Sequence, residues 1–588
     1  MSGERILNVV NMIPLSPRCA TKTLGILLIG TLSFAQHQHT ADPETARLDL
    51  IKLPAPQRMN GLGRAHITIT TKSAEAQEWF DQGLAALHCF WDYESLRAFE
   101  QAVRLDPDCA LCHWGLARAL GSRGGEKDLE KAELKKAEEL AAKASDHEQR
   151  YIRAEVAREK EKDDDKAEAA YAKQMESLID RYPDDLDARV LYALSLNHGY
   201  SSNGDPRPGS LYGQAVLREI LQQHPDNAAA NHYWIHAVEG SHPEWAVKSA
   251  ERLGSLAPAS GHMVHMPGHI FYRIGDYDRA RQIFLDALHV DRAYMDRQHV
   301  AEKDNWNYVH NISYLIADCA EAGRYQEAQE QARLLQGLYN DPDHSGAPTF
   351  YVLQIGSTAT RLAIRFGNWD AATDHPLQFG VPEAQLSVWA RGYRNGLLAY
   401  ARGMKAAQSG RLDEAEHQAG VLDALLWRLS KENVDEDGKN GSERVLKLLG
   451  TASLELRGAT EMGRSNFDEG RQLLERASKD EQELGYSEPP QYSRPPLEVL
   501  GEALIRAGKY PEARDAYQKE LQERPHSGFP LYGIAYAWEK EGKRVEAAKA
   551  YREFLTAWSH ADADLSQVRT AQTYVRAETI AQARPQKE

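Results

Sequence analysis

The chain has 588 residues and a formal charge of −16, from 70 Lys+Arg against 86 Asp+Glu. Hydrophobic residues are 42 % and charged residues 27 %, an ordinary globular composition that excludes a disordered chain. The acidic balance argues against a nucleic-acid or anionic-membrane surface, which wants clustered Lys and Arg, and five cysteines are too few for a disulfide scaffold.

The first segment reads as an address. Arg18 and Lys22 flank an apolar run from Leu24 to Phe34, about eleven residues, where a bilayer span needs ~20. Ser33 and Ala35 place small residues where a signal peptidase reads, so residues 1–35 are expected to be a secretory signal peptide cut after Ala35. The mature chain is then exported, periplasmic or secreted, has no membrane span, and meets a compartment where thiols oxidise. Residues 36–73 form an N-terminal lead-in.

From residue 74 one pattern recurs: a helix with small residues, a Gly-containing turn, a helix with Ala and an aromatic, then Pro. It reads LGEALIRAGKYPEARDAYQKELQERP from Leu500 to Pro525. Arg273 to Ala280 repeats the turn around Gly275, Ala322 to Ala328 repeats it around Gly323, and Gly83, Phe99, Ala102 and Pro107 show a related form. The period is about 34 residues, the tetratricopeptide length. Each hairpin cannot bury its apolar stripe alone, so the hairpins must stack. The expected fold is all-α, a tetratricopeptide-type helix-hairpin solenoid of roughly ten or eleven repeats. It divides into an N-terminal array (74–342), a C-terminal array (343–565) and a frayed tail (566–588). No GxGxxG or GxxxxGK motif appears, which argues against a nucleotide site.

Several phrases resemble a family of exported bacterial tetratricopeptide repeat (TPR) proteins. They are Phe80-Asp81-Gln82-Gly83-Leu84, Asp106-Pro107-Asp108-Cys109-Ala110, His232-Tyr233 with His236-Ala237-Val238-Glu239, His265-Met266-Pro267-Gly268-His269-Ile270, and Glu488-Pro489-Pro490. The resemblance implies a helical solenoid whose first helices line a concave groove. It implies no reaction.

The histidines are uneven. Ten of 22 fall between His224 and His310. His262, His265 and His269 lie 13, 10 and 6 residues before Gly275, within a roughly 60° arc of one helix face. His310 lies 13 residues before Gly323, in register with His262, and His232, His236 and Glu239 share a similar arc one unit earlier. Three neighbouring helices thus point up to six His and one Glu into a common space. Imidazoles at i, i+4 clamp an ion, and several His with a carboxylate suit Zn²⁺ or Cu²⁺. The expected metal ligands are His232, His236, Glu239, His265 and His269, with His262 and His310 as ligands or outer partners. The same residues line the groove expected to take a protein or peptide partner. Met263 and Met266 face other sides and read as core. Pro267 either kinks this helix or marks its start nearby, which would leave His262 and His265 in a loop.

Two motifs tempt. Cys109-Ala110-Leu111-Cys112-His113 matches the attachment pattern of c-type haem. Packing positions Leu111, Trp114 and Leu116 favour a local disulfide or two buried thiols instead. His232-Tyr233-Trp234-Ile235-His236 has zinc-protease spacing, but Tyr233 stands where the general-base Glu belongs. The function expected from the sequence is therefore an exported solenoid with a ligand groove and a histidine-rich metal site. The alternatives are a metal-dependent enzyme of unknown reaction or a haem c protein.

Overall fold

The computed structural model describes residues 55–583, apart from 124–125, 202–203, 303–304, 339–355, 375–385 and 433–438. The expected signal peptide, the first part of the lead-in and the boundary between the two arrays lie outside the described residues.

The regular structure of the described residues is helical, apart from one isolated β-bridge between Tyr200 and Pro206. In chain order the first helices are α1 (Ala74–His88), α2 (Asp92–Leu105), α3 (Ala110–Arg123), α4 (Lys127–Leu140), α5 (Asp146–Glu159), α6 (Asp164–Arg181), α7 (Leu186–Ser195), α8 (Ser210–Gln223), α9 (Ala228–Val238), α10 (Val247–Leu256), α11 (Gly261–Arg273), α12 (Tyr277–Gln298), α13 (Trp306–Glu321) and α14 (Tyr325–Leu338). Two short helices follow, α15 (Thr358–Arg365) and α16 (Trp369–Asp374). The rest are α17 (Val388–Gln408), α18 (Leu412–Leu429), α19 (Lys439–Gly463), α20 (Phe467–Gln482), α21 (Pro496–Arg506), α22 (Tyr510–Glu523), α23 (Gly528–Lys540), α24 (Arg544–Ala557) and α25 (Ser566–Ala583). Successive helices pair into hairpins, and each hairpin packs on the next, giving the tetratricopeptide-type stack the period predicts.

A repeated interlock explains why small residues recur. Gly83 on α1 and Gly115 on α3 both face the Phe99 ring of α2, where an added Cβ would stand 2.9 Å and 2.4 Å from it. Gly501 and Gly533 do the same to Tyr517, and Gly268 to Phe284. In these three places an aromatic on a second helix fills the notch left by glycine on a neighbouring first helix, so the helix axes approach closely. Pro267 lies inside α11, which runs unbroken past it, so His262 and His265 are helical.

Two expectations change. The lead-in from residue 55 is an extended strap fastened to the hairpins. The Gln82 side chain accepts from Met59 N (3.0 Å) and donates to Gln57 O (3.1 Å), and Gln77 does the same for Ile69 N (2.9 Å) and Ile67 O (3.0 Å). The tail from residue 566 is not frayed: it forms α25 as far as Ala583, because Val568 and Ala571 bury against Tyr551, Phe554 and Trp558. Its polar composition hid that stripe.

The second array folds back onto the first. Gly275, at φ +82°, turns the α11/α12 hairpin against Pro525 and His526, and Tyr277 Oη donates to Pro525 O (3.0 Å). Arg365 bridges buried Glu321 (2.9 Å) and Glu498 (2.6 Å). This closure lays the segment after α20 over the inner ends of α11 and α13.

Candidate metal centre

Three first helices supply the site. The Asn227 side chain caps α9 by accepting from Ala230 N (2.8 Å), and Ser260 caps α11 by accepting from Met263 N (3.3 Å). Asn305, before α13, donates to buried Asp291 of α12 (3.2 Å). Alanines, aromatics and Met263 and Met266 bury the outer faces of these helices, which turns the imidazoles inward.

The six histidines come together, and they divide into two triads. His232 and His236 of α9 meet His262 of α11, while His265 and His269 of α11 meet His310 of α13. Within each triad the potential ligand atoms lie within 4.8 Å of one another. His232 Nε2 is 3.1 Å from both His236 Nε2 and His262 Nε2, and His265 Nε2 is 2.6 Å from His269 Nε2. His262 and His265, one turn apart on α11, form the shared wall, with ring centroids 6.2 Å apart.

The opposite nitrogens decide the chemistry. His232 Nδ1 donates to His88 O (2.7 Å), a carbonyl that can only accept. His236 Nδ1 and His269 Nδ1 donate to the two oxygens of Glu239 (2.6 Å and 2.7 Å). Asn307 gives its N–H to Asp291 (2.8 Å), so its oxygen faces His262 Nδ1 (3.2 Å), and the Asn311 oxygen accepts from His265 Nδ1 (2.9 Å). Five imidazoles therefore carry their proton on Nδ1 and present a bare lone pair on Nε2. Lone pairs facing one another at 2.6–3.1 Å repel unless a proton or a cation stands between them.

A proton is the poorer choice. Burial first, and then the charges of neighbouring histidines, push His232, His262 and His265 well below the ordinary imidazole range. Burial also lowers His269, against the pull of Glu239. Two nitrogens bound to one ion at ~2.1 Å and separated by the tetrahedral angle lie about 3.4 Å apart, and at a right angle about 3.0 Å. The 3.1 Å separations of the first triad match that range, and the 2.6 Å between His265 and His269 would have to widen to admit an ion. The carboxylate, amide and carbonyl acceptors on Nδ1 are the partners that orient metal-binding imidazoles.

The arrangement alters three expectations. Glu239 joins neither triad: it bridges them from behind, and with His236 and Glu488 it makes a third cluster whose potential ligand atoms lie within 4.8 Å of one another. Burial raises its carboxyl, yet the charges of His236 and His269, with their hydrogen bonds, outweigh that and hold it below the usual range. Five ligands around one ion become two sets of three. The histidines also do not line an open groove: they are 0–5 % exposed, except His236 at 10 %. Phe90 packs over His232 and His236 (centroids 4.5 Å and 5.4 Å), and Trp306 over His262 (5.3 Å). An open cleft of about 1360 Å³ lies elsewhere, between the strap at residues 58–68 and the turns at 181–187 and 223–227.

The haem reading fails on geometry. Cys109 and Cys112 form a disulfide, which leaves no thiols for thioether bonds. His113 spends both nitrogens, on Glu133 (2.6 Å) and Pro107 O (3.0 Å). Cys89 and Cys319 are buried free thiols, as their isolation predicts.

Glu488 is the residue that sequence reasoning missed. It reaches the site from the segment after α20, 3.8 Å from His269 Nδ1 and 3.8 Å from His310 Nε2, with its side chain 21 % exposed. Burial, then the Glu239 charge, push its carboxyl well above the ordinary range. Tyr486 of the same segment meets Tyr314 (3.3 Å). The Glu488-Pro489-Pro490 phrase was visible, but nothing local tied it to α11. Asn307 and Asn311 did carry a signal, an i, i+4 pair on the helix of His310.

No protein-family model matches the chain, and no curated protein matches it. Among solved structures, it is similar to a human IFIT1 dimer with m7Gppp-AAAA (TM-score 0.33, 13 % identity, 76 % of this chain and 90 % of that one). It is also similar to yeast Tom70 (TM-score 0.30, 13 % identity, 87 % and 97 %) and to the P58(IPK) TPR domain (TM-score 0.19, 14 % identity, 64 % and 95 %). The likeness extends to stacked helical hairpins, and the histidine chemistry rests on this chain's own geometry. No helix among the described residues is long and apolar enough to cross a membrane.

Proposed function

We propose that this chain is a metalloprotein that holds two transition-metal ions, one in each histidine triad, inside an exported helical solenoid. The observation that carries the proposal is the convergence of Nε2 lone pairs, with five Nδ1 protons anchored on acceptors behind them. A merely structural histidine cluster would alternate donors and acceptors, and this one does not. Three nitrogens and an open position on each ion is the pattern of reactive sites, in contrast to the closed four-ligand pattern of structural ones. Export agrees with the Cys109–Cys112 disulfide, which suits an oxidising compartment. The cleft beside the strap is where a protein or peptide partner would dock, away from the metals.

Elemental analysis of the purified chain tests the reading. The expected result is two ions per chain, falling to one in His236→Ala or His310→Ala. Metal below one ion per chain after incubation with Zn²⁺ and Cu²⁺, unchanged by these substitutions, would end it.

A further inference from the structure

Resting on the reading that both triads bind metal, we infer that Asp291 is a positioning residue of the first triad. It acts through Asn307 and fixes which nitrogen of His262 faces the ion.

Asp291 lies on α12, outside both triads, and is 1 % exposed. Both of its oxygens are engaged. Oδ1 accepts from Asn305 Nδ2 (3.2 Å), and Oδ2 accepts from Asn307 Nδ2 (2.8 Å). Asn311, one turn further along α13, stands near enough to draw the same carboxyl downward. All three partners are neutral amides, and burial outweighs them, pushing the carboxyl up to about 7. The backbone is nevertheless shaped to receive it. Gly261 opens α11 against the carboxyl, where an added Cβ would stand 2.0 Å from Oδ1.

A buried carboxylate held by amides alone is costly, and a cation close by offsets that cost. The hydrogen bonds show where such a cation would sit. They lead from Asp291 through Asn307 to His262 Nδ1 (3.2 Å), and His262 Nε2 meets His232 Nε2 in the first triad (3.1 Å). An ion bound there favours the ionised form of Asp291, which can only accept.

The relay sets direction. Facing an accept-only carboxylate, Asn307 turns its N–H toward Asp291 and its oxygen toward His262. That oxygen holds the ring proton on Nδ1 and leaves Nε2 bare for an ion. In the reversed amide an N–H would meet Nδ1, the ring proton would sit on Nε2, and the first triad would lose a ligand. Asn307 by itself permits both orientations, and Asp291 selects one. The other two rings of the triad need no such selection, because the Glu239 carboxylate serves His236 and the His88 carbonyl serves His232.

Two chains separate the sites: His310→Ala keeps the first triad and His236→Ala keeps the second. Zn²⁺ affinity is read in each by competition against a chromophoric chelator, with circular dichroism following the fold. Asp291→Leu, with the same branching and no acceptor, should weaken the first triad about 10–100-fold and the second by less. Adding Asn307→Asp puts an acceptor back beside His262 and should return the first triad to within about threefold of its starting affinity. Damage to packing alone would not be repaired by a new buried charge. Gly261→Ala crowds the carboxyl without removing it and should weaken the first triad as well, which gives a reading if the leucine chain does not fold. A first triad unmoved by Asp291→Leu or by Gly261→Ala, or a loss that Asn307→Asp leaves in place, would overturn this inference and leave the two-ion reading standing. A His310→Ala chain and an unaltered chain that both bind no zinc would instead remove that reading.

Discussion

Glu239 offers the sharpest test of the two-triad arrangement. Its two oxygens each hold one Nδ1 proton, one from His236 of the first triad and one from His269 of the second. Of the imidazoles, Asn307 meets His262 and Asn311 meets His265, and Asn307 also donates to Asp291. Loss of such an outer partner weakens metal affinity about 10–100-fold, or ~1.4–2.7 kcal/mol. In Glu239→Gln the amide keeps one acceptor and turns a donor toward the other imidazole, and the negative charge between the ions disappears. Both sites should therefore weaken by about that factor. Asn307→Ala should weaken one site and leave the second within about twofold, and Asn311→Ala should do the reverse. Competition against a chromophoric chelator reads both affinities, with circular dichroism confirming the fold. The reasoning fails if Glu239→Gln weakens one site alone, or if each Asn variant weakens both sites equally.

Other outcomes follow from the packing and the charges. Gly268→Ala puts a Cβ 2.3 Å from Phe284, and overpacking of this kind should lower stability by about 1–3 kcal/mol in thermal melts, with His265 and His269 displaced beside it. Arg365→Met leaves Glu321 and Glu498 buried without their partner and should cost about 3–5 kcal/mol in denaturant unfolding. His232, His262 and His265 resist protonation when folded, so the unfolded chain binds more protons below about pH 6.5. The metal-free chain should accordingly lose stability as pH falls from 7 to 5, by up to ~1.4 kcal/mol per pH unit for each histidine, and a flat profile would contradict the burial. Cys89 and Cys319 should resist alkylation until the chain is denatured. Denatured but unreduced protein should then show two reactive thiols if residues 1–35 have been removed, and three if Cys19 remains.

Local pattern alone determined the hairpins, their glycine turns and the inward register of the histidines, because helix period and turn chemistry act within a few tens of residues. Gly275, Gly323 and Gly508 all take the positive φ that their place in the repeat requires. His262 and His310 were readable as equivalent positions one unit apart for the same reason. Tertiary structure decided how the six imidazoles divide, since that depends on the spacing and rotation of α9 against α11 and α13, which no single helix encodes. It also placed Glu239 behind the ligands, where the carboxylate can only accept and so fixes which nitrogen of each partner faces inward. Glu488 arrives through closure of the second array onto the first, in contacts with His269 and His310 that span well over a hundred positions, and chain separation of that size leaves no trace in periodicity.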